Sequence, residues 1–140
     1  MEDVIYSFNV TATSTTNASI GNTSSAELKV KADKRSMAEY SKLEIQWLMK
    51  MVQNADIDKG IKNALLAKLA NAESKVDEAI ANIGDETMAD ENLNTAQNVV
   101  NAFINQVEAQ YDKKVMQPDA DQLEEKANQI IADLETTKNN

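Results

Sequence analysis

The chain has 140 residues, a net charge of −9, and neither cysteine nor histidine. Without cysteine it forms no disulfides and no thiolate zinc sites, and without histidine it lacks the commonest general base. Arg35 is the one arginine, and nucleic-acid binding needs clustered cations. No stretch approaches the roughly 20 apolar residues of a membrane span, so we expect neither nucleic-acid binding nor direct membrane insertion.

Residues 4–13 and 26–32 alternate between apolar and polar side chains, the period of a half-buried β-strand. The connection between them is polar and contains Gly21. The pattern predicts an antiparallel β-hairpin within residues 1–33. One hairpin with one apolar face is marginal in water, so we expect it to end a β-sandwich or to pack on the helices.

Three Asn-x-Ser/Thr triplets begin at Asn9, Asn17 and Asn22. Asn9 is on the polar face of its strand pattern and the others are in the connection, so all three are glycosylation candidates. Their use would indicate an extracellular protein. Because the first residues have no basic region followed by an apolar run, they are no signal peptide, and we expect an exported parent protein longer than this chain.

Residues 34–140 change to the spacing of amphipathic helices, with apolar side chains at every third or fourth position. Ser36 to Glu39 has the form of a capping box and is predicted to open the first helix. The predicted apolar stripe of this helix contains seven residues: Met37, Tyr40, Leu43, Trp47, Leu48, Met51 and Val52.

The second helix is predicted to begin at a cap on Asp56 or Asp58. Gly84 is positioned to end it in a left-handed conformation. Its predicted stripe has steps of three and four, the spacing of packed helices. The stripe residues are Ile61, Leu65, Leu69, Ala72, Val76, Ile80 and Ile83.

The third helix is predicted to start at Thr87, and Pro118 fits the first turn of the fourth. Asp119 and Asp121 complement the positive end of the helix dipole, and we expect fraying from Thr136 onward. The stripe of the third helix is Leu93, Ala96, Val100, Phe103, Val107 and Tyr111, and that of the fourth is Ala120, Leu123, Ala127, Ile130 and Leu134.

Short links between these helices make consecutive helices antiparallel neighbours. The sequence therefore predicts a mainly α fold, in which an N-terminal β-hairpin (residues 1–33) precedes an up-down four-helix bundle (residues 34–140). Two helical hairpins packed together would satisfy the same pattern.

Two surfaces are candidates for interaction. Trp47 and Met51 widen the apolar face of the first helix, which either receives the hairpin or forms a groove for a partner. The third helix has a polar ridge that hydrogen-bonds a sugar or a neighbouring domain, or is a boundary between core and solvent. The ridge residues are Asn94, Asn98, Asn101 and Asn105.

No catalytic or metal site is predicted, and no cofactor. Paired carboxylates fall outside the apolar stripes, where a solvated face is the ordinary explanation. Asn54, Asp56 and Asp58 have the spacing that begins a calcium loop, but Lys59 and Leu65 replace its glycine and glutamate. The chain is therefore predicted not to be an enzyme.

Residues 99–134 resemble a helical domain of prokaryotic cell-surface proteins, the FIMAH type, and residues 57–76 look like the helix before it. The chain departs from that family at Asp112, where glycine is common, and around Pro118, where a Ser or Thr cap is usual. The resemblance is carried by Phe103, Ile104, Val107, Lys113, Lys114, Ala120, Leu123, Ala127, Ile130 and Ile131.

The strand segments look like the last two strands of an immunoglobulin-like sandwich in archaeal or bacterial surface proteins. Both resemblances imply a non-catalytic extracellular module at the cell surface, often S-layer-associated, with a structural, spacer, adhesion or envelope-association role. Its expected partners are neighbouring domains or envelope components. The alternatives are a helical adaptor that binds a protein through helix one, and an accessory domain of a secreted hydrolase.

Overall fold

The structure is a computed structural model that describes the backbone of residues 5–13, 23–31 and 33–140, and side chains within 33–140. The chain divides into two compact units, one with the strands and one with residues 33–140. In the first, β1 (Ile5–Thr13) and β2 (Thr23–Lys31) pair antiparallel. The predicted connection between them lies outside the described residues.

Four helices form the second unit, which confirms the prediction of a mainly helical chain. Both α1 and α3 contact α2 and α4, so the four helices surround one core as a helical bundle. Their bounds are α1 (Lys34–Asn54), α2 (Lys59–Ala81), α3 (Glu86–Gln110) and α4 (Asp119–Lys138).

Side-chain pairs between α1 and α2 fix the relative direction of these two helices. Lys42 Nζ lies 2.7 Å from a carboxylate oxygen of Asp77, and Gln46 Nε2 donates to Glu73 Oε1 at 3.0 Å. The residue number rises along α1 while it falls along α2, so the two helices are antiparallel.

The same argument applies to α3 and α4. Gln97 Nε2 donates to the carbonyl of Ile131 at 3.1 Å, and Lys138 Nζ donates to Asn94 Oδ1 at 3.5 Å. These helices are therefore antiparallel as well, as their short connection predicts.

The core of the helical unit is aliphatic, with Phe103 as its largest fully buried side chain. The predicted stripes of the second, third and fourth helices face this core, and their end residues Ile61, Ile80, Ile83 and Tyr111 are half-buried. The fully buried centre of the stripes includes Leu65, Leu69, Ala72, Val76, Leu93, Ala96, Val100, Val107, Ala120, Ala127, Ile130 and Leu134.

The predicted stripe of the first helix is wrong for its three bulkiest exposed members. Tyr40 is half-exposed, and Leu43 and Trp47 are 62% and 61% exposed. The core face lies to one side of them, because the small residues Ala38 and Ser41 let α1 approach its neighbours. That face is Met37, Ala38, Ser41, Ile45, Leu48 and Val52, all buried.

Two helices begin earlier than predicted, at aspartate caps. Asp33 Oδ1 accepts from the backbone N–H of Ser36 at 2.7 Å, and this hydrogen bond lowers the pKa of Asp33. Asp85 Oδ1 accepts from the N–H of Met88 at 3.1 Å, so α3 does not start at Thr87. In each case the carboxylate satisfies an N–H that the first turn leaves open.

The predicted cap on α2 is confirmed at Asp58, whose Oδ2 accepts from the N–H groups of Gly60 and Ile61. The left-handed Gly84 is wrong. α2 ends at Ala81 and is capped by Asn82, whose Nδ2 donates to the carbonyl of Glu78 at 2.8 Å. This bond closes the helix before Gly84, which has no positive φ.

The last helix differs from its prediction at both ends. Pro118 is the N-cap residue and not part of the first turn, while Asp119 and Asp121 lie in that turn as predicted. The predicted fraying from Thr136 is wrong, because α4 continues to Lys138. Thr137 is buried there, and its hydroxyl donates to the carbonyl of Asp133 at 2.7 Å.

The orientation of α1 is tested by the same truncation at two leucines of this helix. Leu48→Ala is expected to lower the free energy of unfolding by about 2–5 kcal/mol, because it leaves a cavity in the core. Leu43→Ala is expected to lower it by less than about 1 kcal/mol, since the side chain is exposed. Urea denaturation followed by circular dichroism measures both, and equal losses would contradict this orientation.

Candidate functional site

Three large apolar side chains of α1 form an exposed row, which we call the α1 ridge: Tyr40, Leu43 and Trp47. Steps of three and four residues place them on one side of the helix. In residues 33–140 the other exposed large apolar side chains are Met88 and Met116, on other elements. Single exposed apolar residues are ordinary, so a row of three makes this side of α1 the candidate interaction surface.

Three neighbouring depressions lie between α1 and α4 beside the ridge, and we call them together the α1–α4 groove. A depression of about 180 Å³ under Tyr40, Leu43 and Trp47 adjoins one of about 290 Å³ that reaches Met51. A third, of about 270 Å³, extends from Met51 to Ala55. At 1.5 Å per residue, the groove follows roughly 22 Å of α1.

An ion pair between a buried glutamate and a partly exposed lysine lies beneath the ridge. Glu44 is 4% exposed, and its Oε2 lies 3.1 Å from Lys126 Nζ of α4. Within residues 33–140, Glu44 Oε1 and the neighbouring Ser41 Oγ have no hydrogen-bond partner. Both atoms have almost no accessible surface, and a buried carboxylate oxygen without a donor costs free energy.

The groove is acidic as well as apolar. Its lining includes the carboxylates of Glu44, Glu125 and Asp119, against the ammonium of Lys126. Residues 33–140 contain twelve lysine and arginine residues against twenty aspartate and glutamate residues, a net charge of −8. Such a field attracts cationic partners and repels anionic ones.

Ion pairs connect α1 to each of the other three helices. Lys34 Nζ lies 2.7 Å from Asp90 Oδ1 of α3, and Lys42 is hydrogen-bonded to Asp77 of α2, which raises the pKa of the lysine. Together with the pair to α4, these contacts position α1 from three sides. A site on a rigid helix keeps its geometry better than one on a loop.

The structure brings some of the predicted site residues together and separates others. Trp47 and Met51 line the same part of the groove. The four asparagines of the predicted polar ridge are all exposed on α3, a helix that does not line the groove. Asn9 lies in β1 opposite Glu27, while Asn17 and Asn22 lie outside the described residues.

The sequence prediction missed Glu44 and Lys126, and it assigned Tyr40 and Leu43 to the core. A signal was available, because α1 contains two complete apolar faces. Ala38, Ile45, Leu48 and Val52 form one, and the α1 ridge forms the other. A helix packed on one side of a bundle buries one face, so the second remains for another contact.

No cluster of three or more carboxylates that could hold a metal ion occurs in residues 33–140. None of the four helices has an uncharged apolar window long enough to cross a membrane. No family model, curated protein or solved structure matches the chain. The resemblance of residues 99–134 to the FIMAH type therefore stays a prediction, and the groove is the basis for assigning a function.

The ion pair on the groove floor is tested by comparing two lysines that are similarly buried. Lys126→Met is expected to lower the free energy of unfolding by about 1–3 kcal/mol, because it leaves the buried Glu44 carboxylate without its donor. Lys138→Met removes a pair with the exposed Glu135 and is expected to cost less than about 1 kcal/mol. Thermal denaturation measures both, and a smaller loss for Lys126→Met would contradict the buried pair.

Proposed function

We propose that the chain is a non-catalytic binding module that holds a helical segment of another protein in the α1–α4 groove. The observation that carries this proposal is the α1 ridge, with Leu43 and Trp47 more than half exposed. Exposed aromatic and aliphatic side chains beside a groove are the usual anchors of protein interfaces, where tryptophan and tyrosine contribute most of the binding energy.

The shape of the groove favours a helix as the occupant. A groove of roughly 22 Å accommodates about 15 residues of α-helix. The ridge residues recur at steps of three and four, so an apolar stripe of the same period on a partner helix meets them in register. Backbone pairing with a strand is disfavoured, because α1 and α4 use their own backbone groups within the helices.

The proposed setting is the surface of an archaeal or bacterial cell. The triplets at Asn9, Asn17 and Asn22 and the resemblance to FIMAH-type and immunoglobulin-like surface domains support it. In that setting the partner is a neighbouring domain of the same protein or an envelope component, and the bundle acts as an adhesion or spacer element. An adaptor that works inside the cell would use the same groove.

The groove is tested with a designed uncharged peptide of about 15 residues, with leucine at helical spacing, glutamine elsewhere and no tryptophan. Trp47 is the chain's one tryptophan, so its emission reports occupancy. Binding is expected to shift the emission of the full chain to shorter wavelength. Leu43→Ala is expected to weaken binding about tenfold, because it removes an apolar anchor.

Met88→Ala is the matched control, since Met88 is an exposed apolar residue outside the groove, and it is expected to leave the affinity unchanged. Absence of any emission shift, or equal losses in the two variants, would contradict a binding role for the ridge.

The surface setting is tested by glycopeptide mass spectrometry on the parent protein purified from its native cells. Glycan mass is expected on peptides that contain Asn9, Asn17 or Asn22, because each is followed by the required Ser or Thr. Unmodified peptides at all three positions would favour the adaptor inside the cell.

A further inference from the structure

The charged side chains of the bundle are divided unevenly between its two pairs of helices. Helices α1 and α2 contain eight lysine and arginine residues against five aspartate and glutamate residues, whereas α3 and α4 contain two against ten. Both α1 and α3 contact α2 and α4, so the side formed by α1 and α2 lies opposite the side formed by α3 and α4. One side of the bundle is therefore basic, and the opposite side is strongly acidic.

The basic charge collects near the link between α1 and α2, in three lysines that we call the basic patch: Lys50, Lys59 and Lys62. Lys62 Nζ of α2 donates to the carbonyl of Gln53 on α1 at 3.1 Å, so it lies where the two helices meet. Lys50 is about one turn before Gln53 on α1 and lies on the same side. Lys59 is about one turn before Lys62 on α2 and does so as well. Both Lys50 and Lys59 are exposed, and neither has an ion-pair partner among residues 33–140.

The acidic side has a matching cluster around Tyr111, which we call the acidic patch: Glu108, Asp112, Asp121 and Glu124. Burial raises the pKa of Glu124, and the negative charges of Glu108 and Asp121 raise it further. Burial also raises the pKa of Tyr111, and three carboxylates of the patch add to this effect. None of the four carboxylates forms an ion pair within the described helical unit, so their mutual repulsion is left uncompensated there.

We propose that copies of this chain associate head to tail, with the basic patch of one copy against the acidic patch of the next. Both patches lie at the same end of the bundle, because an antiparallel bridge between Ile57 and Val115 joins the α1–α2 link to the α3–α4 link. They lie on opposite sides of that end, so a single two-fold interface does not include both. A neighbour displaced sideways in the same orientation does bring them together, which is a heterologous contact.

The chemistry of the acidic patch suits the lysines of a neighbouring copy. Opposite charges across an interface determine which faces meet and in which register. The ring of Tyr111 is half-buried among the carboxylates, and the face of a tyrosine ring attracts an ammonium group. The apolar stem of a lysine packs against such a ring while its charged end reaches a carboxylate.

The net charge of the chain opposes association only at a distance. Each copy carries a net charge of −9, and copies repel one another as whole molecules. At physiological salt the screening length is about 8 Å, so the charges that meet at the contact outweigh those on remote faces. Exposed ion pairs are individually weak, and we therefore expect a Kd of about 1 mM for each contact.

This association uses a different surface from the proposed helix-binding site. Lys50, Lys59 and Lys62 do not line the α1–α4 groove, and neither do the carboxylates of the acidic patch. The groove of each copy therefore stays open in a head-to-tail assembly. Failure of the peptide experiment on the groove would leave this proposal standing, and the reverse holds as well.

The test is sedimentation of the full chain over a range of protein concentrations in about 0.15 M salt. The weight-average mass is expected to rise from the monomer value of 15.4 kDa about twofold as the protein concentration approaches the Kd. In 1 M salt, where the screening length is about 3 Å, it is expected to return to the monomer value.

Two blocked variants test the direction of the contact. The first carries Lys50→Gln, Lys59→Gln and Lys62→Gln, and the second carries Glu108→Gln, Asp121→Asn and Glu124→Gln. Each is expected to stay monomeric alone, because it lacks one of the two patches. Their equimolar mixture retains one patch of each kind and is expected to form a dimer that grows no further.

The matched control is Lys68→Gln with Lys75→Gln, which removes two lysines of α2 outside the basic patch. It is expected to associate within about twofold of the wild-type chain, because charges away from the contact are screened. Circular dichroism establishes that each variant is folded, and the salt series on the wild-type chain needs no variant.

A mass that stays at the monomer value at every concentration would overturn the proposal. Growth of either blocked variant alone would overturn it, and so would a mixture that sediments like its separate components. A dimer that persists unchanged in 1 M salt would indicate an apolar two-fold contact and would also contradict the head-to-tail arrangement.

Discussion

The rotation of α1 about its own axis is the constraint on which the rest of the structure depends. Ala38, Ser41, Ile45 and Leu48 face the core, and their small and medium side chains let α1 pack between α2 and α4. Once that face is buried, Tyr40, Leu43 and Trp47, which lie on the other side of the helix, must point to solvent. The α1 ridge and the groove beside it therefore follow from which side of α1 faces the core.

Of the ion pairs that α1 makes, one matters most for holding this orientation. The pairs of α1 with Asp90, Asp77 and Lys126 connect it to all three other helices. The first two carboxylates are partly exposed, and such pairs contribute little stability. The pair with Lys126 is different, because Glu44 is buried and a mispositioned α1 would leave its charge without compensation. Glu44, which fixes α1 against α4, thus also lies on the floor of the groove.

The sequence pattern was sufficient to predict the four helices, but it was insufficient to predict the residues of the candidate site. Strong periodicity predicted all four helices and the core faces of three, since Leu65, Phe103 and Ile130 have no competing face on their helices. On α1 two faces competed, and the predicted stripe combined residues of the buried face with the bulkier residues of the exposed one. Periodicity measures where apolar residues recur, and it does not measure how closely neighbouring helices approach.

The groove was beyond the reach of sequence reasoning for a related reason. Glu44 and Lys126 are 82 positions apart in the chain, and only the docking of α4 on α1 brings them together. An acid within a mostly apolar helix is usually solvated, so its burial gives no local signal. Trp47 and Met51 were predicted as interaction residues because they widen an apolar face, which is a local property.

The most direct measurement is the quenching of Trp47 fluorescence by acrylamide in the full chain, compared between the folded protein and the protein in urea. Because Trp47 is the one tryptophan, the signal reports a single site. The account predicts that folded Trp47 is quenched at least half as efficiently as unfolded Trp47, with only a small shift in emission. Strong shielding in the folded state, with emission at short wavelength, would contradict an open ridge on α1.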